Sequence, residues 1–218
     1  MKRKFTCLFF ILFVVFSAGA QTPKGMGTSD PAAKKVLDAV SKKFKSYKSI
    51  QSRFALKIEN SSNKLLDNKA GTVYMKGTRY HISLTNQETF CDGNTVWTLD
   101  KAAKEVTIST LDPNNNTITP QKLFTDFYNK DFLYKLNDEK KGIQEIELTP
   151  IDKGKPFFKV VVFVNKATQT IGSFRIFEKA GNRFTYTVNS MITAGNLGDD
   201  LFIYDQKKYP GVEVVDIR

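Results

Sequence analysis

The sequence predicts a mainly β fold, in which one curled antiparallel sheet is accompanied by a few amphipathic helices. Three observations predict it. Most of the 218-residue chain falls into short segments in which apolar and polar residues alternate, tight turns join these segments in succession, and only two segments repeat apolar residues at helical spacing. A strongly twisted sheet of many strands tends to curl, so we expect a concave face that a helix can cover.

The first 20 residues are predicted to be a secretory signal peptide. A basic tripeptide at 2–4 precedes an apolar stretch at 5–16, and small residues at 17–20 precede Gln21. The apolar stretch is too short for a stable membrane anchor. Gln21 stands where a lipoprotein would need a cysteine. The mature protein is therefore expected to be soluble and unlipidated.

The mature chain is expected to form one domain. Residues 21–30 have the small and polar composition of a flexible leader, and residues 31–218 contain no linker rich in Pro, Gly or Ser that would divide them. With the signal peptide removed, the formal net charge falls from +11 to +8, since three basic residues are lost. This charge favours acidic partners or anionic membranes. The lysines are scattered, however, and simple solvation of lysine faces explains them as well.

Two amphipathic helices are predicted. Asp30 can cap the first and Pro31 suits its first position. Its apolar stripe comprises Val36, Leu37, Val40, Phe44 and Tyr47. The second helix is predicted at 120–129, with Leu123, Phe124 and Phe127 at helical spacing. Either helix could cover the concave face, as a fixed plug or as a lid.

Strands account for most of the remaining chain. From Ser49 onward Phe54, Leu56 and Ile58 alternate with polar residues, which is typical of a half-buried strand. Turn residues at 60–64 and 67–71 precede the next strand. The later strands are predicted at 71–75, 79–84, 88–91, 95–99, 105–109, 131–137, 143–149, 157–164, 171–178, 183–190 and 201–204.

The predicted strands are rich in aromatic residues, and two interpretations remain open. Core packing explains such residues in most proteins. Alternatively they line an apolar cavity for acyl chains, since ligand sites are mainly apolar with few polar groups. Alternation alone does not separate the two interpretations, because it does not show which strands share a face.

Five short segments carry a further signal. They are Ser-Ile-Gln-Ser-Arg-Phe at 49–54, Gly-Thr-Val-Tyr-Met-Lys at 71–76, Asp-Gly-Asn-Thr-Val-Trp at 92–97, Glu-Leu-Thr-Pro at 147–150 and Pro-Gly-Val-Glu-Val-Val-Asp at 210–216. In this order they resemble the LolA family of periplasmic lipoprotein carriers. The resemblance implies an incomplete, highly curved antiparallel β-barrel covered by an α-helical lid.

The resemblance also implies a function. Such a carrier is a soluble periplasmic chaperone that binds the acyl chains of lipoproteins in a hydrophobic cavity and takes them from the inner to the outer membrane, as a monomer and without a cofactor. Its partners would be acylated lipoproteins, an inner-membrane ATP-driven releasing complex, and an outer-membrane acceptor or the membrane itself. Nucleic acid is not expected.

The strand residues that carry over as cavity candidates are apolar or aromatic: Phe54, Leu56, Tyr74, Tyr80, Phe90, Trp97, Phe163, Phe174, Phe177, Phe184 and Tyr186. The lid candidates lie on the two helices: Val36, Leu37, Val40, Phe44, Leu123, Phe124 and Phe127. One departure concerns an Arg that helps hold the lid closed in well-known members. Gly77 stands at that position, and Arg79 is a displaced candidate to replace it.

Catalytic and metal-binding patterns are absent from the sequence. His81 is the single histidine and has no second ligand at metal-binding spacing. No Gly-x-Ser-x-Gly motif accompanies it. Cys91 is the only cysteine after the signal peptide, so no intrachain disulfide is possible, and we expect a buried thiol. The adjacent acids at 138–139 and 199–200 are expected to be solvated. The sequence therefore predicts no enzyme and no metal site.

Two rival functions remain. A lipid- or glycolipid-sensing periplasmic binding module could use the same fold to alter a partner's state. A hydrolase would need a polar catalytic cluster inside the cavity. The outer-membrane acceptor lipoprotein of the same pathway is disfavoured by Gln21.

Overall fold

The computed structural model describes residues 29–112, 131–193 and 195–218. The predicted signal peptide lies outside these residues, as does most of the predicted leader. The predicted helix at 120–129, with lid candidates Leu123, Phe124 and Phe127, also lies outside the described residues.

The described chain folds as one helix packed on one sheet, with two short 3-10 helices near the C-terminal end. Helix α1 spans Pro31–Lys45. The strands are β1 (Ile50–Glu59), β2 (Leu65–Lys76), β3 (Arg79–Leu84), β4 (Gln87–Cys91), β5 (Thr95–Asp100), β6 (Glu105–Thr110), β7 (Phe132–Lys140), β8 (Ile143–Pro150), β9 (Phe157–Asn165), β10 (Thr170–Glu178), β11 (Arg183–Ile192) and β12 (Glu213–Asp216).

The strands form a single open sheet in the order β12-β6-β5-β4-β3-β2-β1-β11-β10-β9-β8-β7. Neighbours are antiparallel except that β12 runs parallel to β6. The sheet is strongly curled, because Thr89 on β4 and Ile176 on β10 line the same cavity although four strands separate them. This architecture confirms the predicted incomplete, curved antiparallel barrel.

Helix α1 begins where the sequence predicts and is fastened to the edge strand β7. The carboxylate of Asp30 accepts a hydrogen bond from the Ala32 amide at 2.8 Å, which caps the helix. The same carboxylate accepts from the Leu136 amide at 3.1 Å, and the Asp30 amide donates to the Tyr134 carbonyl at 2.9 Å. The N-terminal end of α1 is therefore fixed to the sheet.

The main core lies between α1 and the concave face of strands β7 to β10. Leu37 and Val40 are buried there against side chains such as Ile146, Val160 and Val162. Val36 is half-buried on the same cluster. Phe44 and Tyr47 reach a second cluster, built around Met75 and Tyr80. The predicted apolar stripe is thus confirmed, although the helix ends at Lys45, before Tyr47.

Two predicted boundaries were wrong. Residues 67–71 are not a turn, because β2 begins at Leu65 and its Asp67 and Asn68 pair with β1. Strand pairing overrides the turn preference of these residues. Residues 201–204 are not a strand, because Asp199–Phe202 form a 3-10 helix. Its turns carry the local backbone hydrogen bonds while the Phe202 side chain is fully buried.

Substitution of Gly71 tests the packing at the centre of the sheet. A Cβ atom at Gly71 would lie 2.5 Å from Cζ of Phe54 and 2.8 Å from Cδ2 of Leu84. We expect Gly71→Ala to lower the free energy of unfolding by about 1–3 kcal/mol, because overpacking displaces the buried Phe54 ring. Urea unfolding measures this change.

Gly172→Ala is the matched control for Gly71. A Cβ at Gly172, also a strand residue, would meet its nearest neighbour, the Phe163 carbonyl oxygen, at 3.9 Å. Its unfolding free energy should stay within about 0.5 kcal/mol of wild type. Equal destabilisation by both substitutions would contradict the packing described for Phe54.

Candidate ligand-binding cavity

An apolar cavity of about 250 Å³ lies on the concave face of the sheet. Six strands contribute to it: β1, β2, β3, β4, β10 and β11. Its apolar and aromatic lining comprises Phe54, Val73, Met75, Ile82, Leu84, Phe174, Ile176, Tyr186, Val188 and Met191. Ser52, Gln87 and Thr89 add polar groups. The cavity can therefore exclude water around an apolar ligand.

The described lining contains no acidic, basic or histidine side chain. The Ser52 hydroxyl is already engaged, because it donates to the Ser190 carbonyl at 2.9 Å. Burial raises the pKa of Tyr186, so its phenol stays neutral. The arrangement suits dispersion contacts and the hydrophobic effect, whereas acid–base chemistry would need groups that the described lining does not supply.

Three of the predicted cavity residues line the cavity, and they pack as one aromatic group. Phe174 stacks on Tyr186 with ring centroids 4.6 Å apart, and Phe54 lies 6.0 Å from Tyr186. Three further candidates lie on the same face without lining the cavity: Leu56, Tyr80 and Phe184. Leu56 pairs with Tyr186, and Tyr80 packs with Met75 in the neighbouring cluster.

The remaining five candidates lie on the opposite face of the sheet, so the prediction that they line the cavity is corrected. They are Tyr74, Phe90, Trp97, Phe163 and Phe177. The physical reason is strand alternation: Tyr74 sits between the lining residues Val73 and Met75 and must point the other way. Phe163 likewise lies between the inward-facing Val162 and Val164.

Sequence reasoning missed the aliphatic and methionine part of the lining. Val73, Ile82, Leu84 and Val188 alternate with polar or outward residues, which is an ordinary strand pattern. Cross-strand pairing gives the missing information, since Phe54 pairs with Gly71 and Val188, and paired residues share a face. Without the register, the sequence shows which residues of one strand share a face, but it does not show which faces of different strands meet.

The C-terminal segment, residues 197–209, covers the convex face over β3 and β4, where His81 and Phe90 point outward. Phe90 stacks on His81 with centroids 4.2 Å apart, and it contacts the rings of Tyr204 and Tyr209 edge-on at 6.1 and 6.3 Å. Tyr204 and Tyr209 stack on each other at 5.3 Å. The Tyr204 and Tyr209 rings therefore cover Phe90 on the convex face, and Phe90 is unavailable to a ligand in the cavity.

A buried carboxylate fastens this segment to the sheet. Glu88 accepts hydrogen bonds from His81 Nε2 at 2.8 Å and from the Tyr209 hydroxyl at 3.0 Å, and it pairs with Lys101 at 2.6 Å. The hydrogen bond from His81 and those from Lys101 and Tyr209 lower the pKa of Glu88 to about 2. His81, the single histidine, is 8% exposed and belongs to this cluster, on the face opposite the cavity.

Neither a cluster of metal ligands nor a helix able to cross a membrane is found in the part of the chain that the structure describes. No group of three or more His, Cys, Asp or Glu side chains is placed to hold a metal ion within these residues. Across the same residues, no helix has both the length and the apolar character that crossing a bilayer requires.

Comparison with known protein families matches residues 45–205 to the family described as outer membrane lipoprotein carrier protein LolA. The match covers well over half of the chain. The protein belongs to the LolA family. A comparison with proteins of curated function finds no match.

Solved structures of other proteins resemble this fold. An uncharacterized conserved protein from Thermus thermophilus superposes with a TM-score of 0.56 at 13% sequence identity, over 85% of this chain and 99% of that one. A LolA superfamily protein from Nitrosomonas europaea gives a TM-score of 0.43 at 14% identity, over 79% of this chain and 97% of that one. At 13% identity, the similarity to the Thermus thermophilus protein shows the fold alone.

The position where well-known LolA proteins carry the lid-closing Arg is a turn glycine here. Gly77 has φ +60°, in the left-handed region that favours glycine. Arg79 lies on the convex face, where its guanidinium pairs with Asp199 at 2.6 Å. Lys76 pairs with the same carboxylate at 2.8 Å and donates to the Leu197 carbonyl at 2.9 Å. Through Asp199, both cations hold the C-terminal segment.

The Glu88 cluster predicts a specific loss of stability in acid. The pKa of Glu88 is about 2 in the folded protein and 4.5 without these partners, so the stabilisation is complete above the unfolded pKa and is lost as the pH falls toward the folded pKa. The contribution is about 3 kcal/mol. Urea unfolding at a series of pH values between about 6 and about 2 measures it.

Glu88→Gln provides the comparison for this pH series. It should be less stable than wild type near neutral pH, and the difference should shrink as the pH falls toward about 2, because the variant has no carboxylate to protonate. A constant difference between the two proteins over the whole range would contradict the assignment of this pKa to Glu88.

Proposed function

We propose that this protein is a periplasmic lipoprotein chaperone that binds acyl chains noncovalently in the cavity and carries lipoproteins from the inner to the outer membrane. The observation that carries the proposal is a cavity lined by ten apolar or aromatic side chains and by no charged one among the described residues. Each acyl CH2 buried there contributes roughly 0.8 kcal/mol. Affinity can therefore arise without covalent chemistry, which supports a carrier rather than an enzyme.

Loading would require the cavity to grow. Its volume of about 250 Å³ lies below the ~300–1,000 Å³ of typical small-ligand pockets, so it holds only part of a lipoprotein's acyl chains. The flexible side chains of Met75 and Met191 can repack at its lining. Helix α1 is fixed to β7 near Asp30, so an outward movement of the helix would have to separate its other end, at Phe44, from the cluster around Met75.

The pathway partners follow from this role. An inner-membrane ATP-driven complex would release acylated lipoproteins to the carrier, and an outer-membrane acceptor or the membrane itself would receive them. A secretory signal peptide over residues 1–20 would deliver the chain, and residues 31–218 would act as one domain and as a monomer. The candidate side chains in contact with acyl chains are Phe54, Phe174 and Tyr186.

A lipid-sensing binding module is the second candidate. The small cavity favours it, because about 250 Å³ suits one apolar chain better than several. A sensor would bind a single lipid and would form no stable soluble complex with a triacylated lipoprotein.

Two adjacent substitutions on β11 test the carrier function. Val188 lines the cavity, whereas Thr187 is exposed on the other face. Val188→Phe should lower lipoprotein binding about tenfold, the equivalent of losing about two buried CH2 groups, and Thr187→Phe should leave it unchanged. The measurement incubates the mature protein with inner-membrane vesicles that contain triacylated lipoprotein and the releasing complex, and quantifies the soluble one-to-one complex.

The outcomes separate the two candidates. A soluble complex that Val188→Phe weakens supports the carrier. A folded protein that binds a single fatty acid, sensitive to Val188→Phe, but forms no lipoprotein complex would favour the sensor. Equal effects of both substitutions would refute the cavity as the binding site.

A further inference from the structure

One end of the barrel combines exposed apolar side chains with lysines. Loops 60–64, 151–156 and 179–182 meet there, because β1, β8 and β10 all end at this side of the sheet. Hydrogen bonds join them: the Arg183 guanidinium donates to Asn63 and to the Ser61 carbonyl, and the Lys179 amide donates to the Pro156 carbonyl. We call this end, formed by the three loops with Leu65, Leu66, Phe158 and Arg183, the basic rim.

The rim exposes four large apolar side chains. Leu65 and Leu66 are 53% and 54% exposed, Phe158 is 50% exposed and Ile151 is 40% exposed. Phe158 packs against Phe177, with the ring centroids 6.1 Å apart. Exposed apolar side chains gathered at one site, unlike scattered ones, mark an interaction surface.

The two leucines stand on a projecting hairpin. Strand β3 pairs with β2 only from Gly71 onward, so among the described strands residues 65–70 pair with β1 alone. Six residues at about 3.3 Å each extend the hairpin about 20 Å beyond β3. Every residue from 61 to 70 is exposed. On the other side of the hairpin β11 pairs with β1 as far as Glu59, so Leu65 and Leu66 lie on the edge of β2 that β3 leaves uncovered, where they can contact a flat surface.

The charges of the basic rim indicate the kind of partner surface that it can bind. The three loops carry Lys64, Lys153, Lys155 and Lys179 against a single acid, Asp152. Lys159 and Arg183 add cations over the Phe177 ring, at 4.6 and 5.7 Å from its centroid. Apolar side chains within a field of lysines match the boundary of an anionic bilayer, where apolar groups enter the acyl region and lysines stay at the phosphates.

We propose that the basic rim docks the protein on an anionic lipid bilayer, with Leu65, Leu66 and Phe158 entering the headgroup boundary. The surface lies outside the cavity and its use does not depend on acyl-chain binding. Within the proposed carrier function, it would bring the protein directly to a membrane for delivery. An acidic protein partner is the competing occupant, and it is an outcome of the test below.

Vesicle co-sedimentation of the full mature protein tests the proposal. The probes are vesicles of phosphatidylcholine alone and of phosphatidylcholine mixed with phosphatidylglycerol. We expect binding to the anionic vesicles, weak binding to the neutral ones, and a loss of binding as the salt concentration rises. Absence of binding to the anionic vesicles at low salt would overturn the proposal and leave a protein partner as the occupant.

Matched variants locate the docking surface. Lys64→Gln with Lys153→Gln should weaken binding about 25-fold, because each lysine near an anionic surface contributes about fivefold. Lys140→Gln with Lys141→Gln, at the end of β7 and in the turn that follows it, lies at the opposite end of the sheet and should have a much smaller effect. Equal losses from both pairs would show attraction by net charge alone and would overturn the assignment to the rim.

A second pair of double variants tests the contribution of the apolar side chains to vesicle binding. Leu65→Ser with Leu66→Ser should weaken binding at least about tenfold, whereas Ile192→Ser with Ile217→Ser, which are 56% and 64% exposed elsewhere, should not. Lipoprotein-complex formation by the same variants is measured in parallel. Rim variants that lose vesicle binding but keep the lipoprotein complex separate failure of docking from failure of the carrier function.

Discussion

The pairing of β1 with two partners holds this fold together. Strand β1 pairs with β2 on one side and with β11 on the other over nearly its whole length, so it joins the two halves of the twelve-stranded sheet. Its inward residue Phe54 pairs with Gly71 and Val188 and meets the Phe174–Tyr186 aromatic pair. The curl around β1 brings side chains from both halves into one cavity.

Different segments cover parts of the two faces of the curled sheet. Helix α1 covers the concave face over strands β7 to β10, and Asp30 fixes its beginning to β7. The C-terminal segment covers part of the convex face, where Tyr209 of the segment donates to Glu88 and where Lys76 and Arg79 of the sheet pair with Asp199 of the segment. The cavity lies beside the region that α1 covers, so a ligand can enlarge it without disturbing the convex face.

The sequence predicted the start of α1 and most of the strands, because Asp30, Pro31 and the alternation after Ser49 are local signals. It did not predict which aromatics face the cavity. That property depends on register between strands distant in sequence, such as Phe54 with Val188, and on a bulge between Arg53 and Phe54. The 3-10 helix at Asp199–Phe202 was missed for a similar reason, since the tertiary burial of Phe202 determines it.

The central claim is that the inner face of the curled sheet binds acyl chains, while the outward aromatic residues of β2, β4 and β5 pack only within the fold. Photo-crosslinking tests it most directly: the protein is loaded with a lipoprotein whose acyl chains carry a diazirine, irradiated, and digested for mass spectrometry. The account predicts labels on inward residues such as Phe54, Val188 and Met191, and none on Tyr74, Phe90 or Trp97. Labels on the outward residues, or on both faces equally, would contradict it.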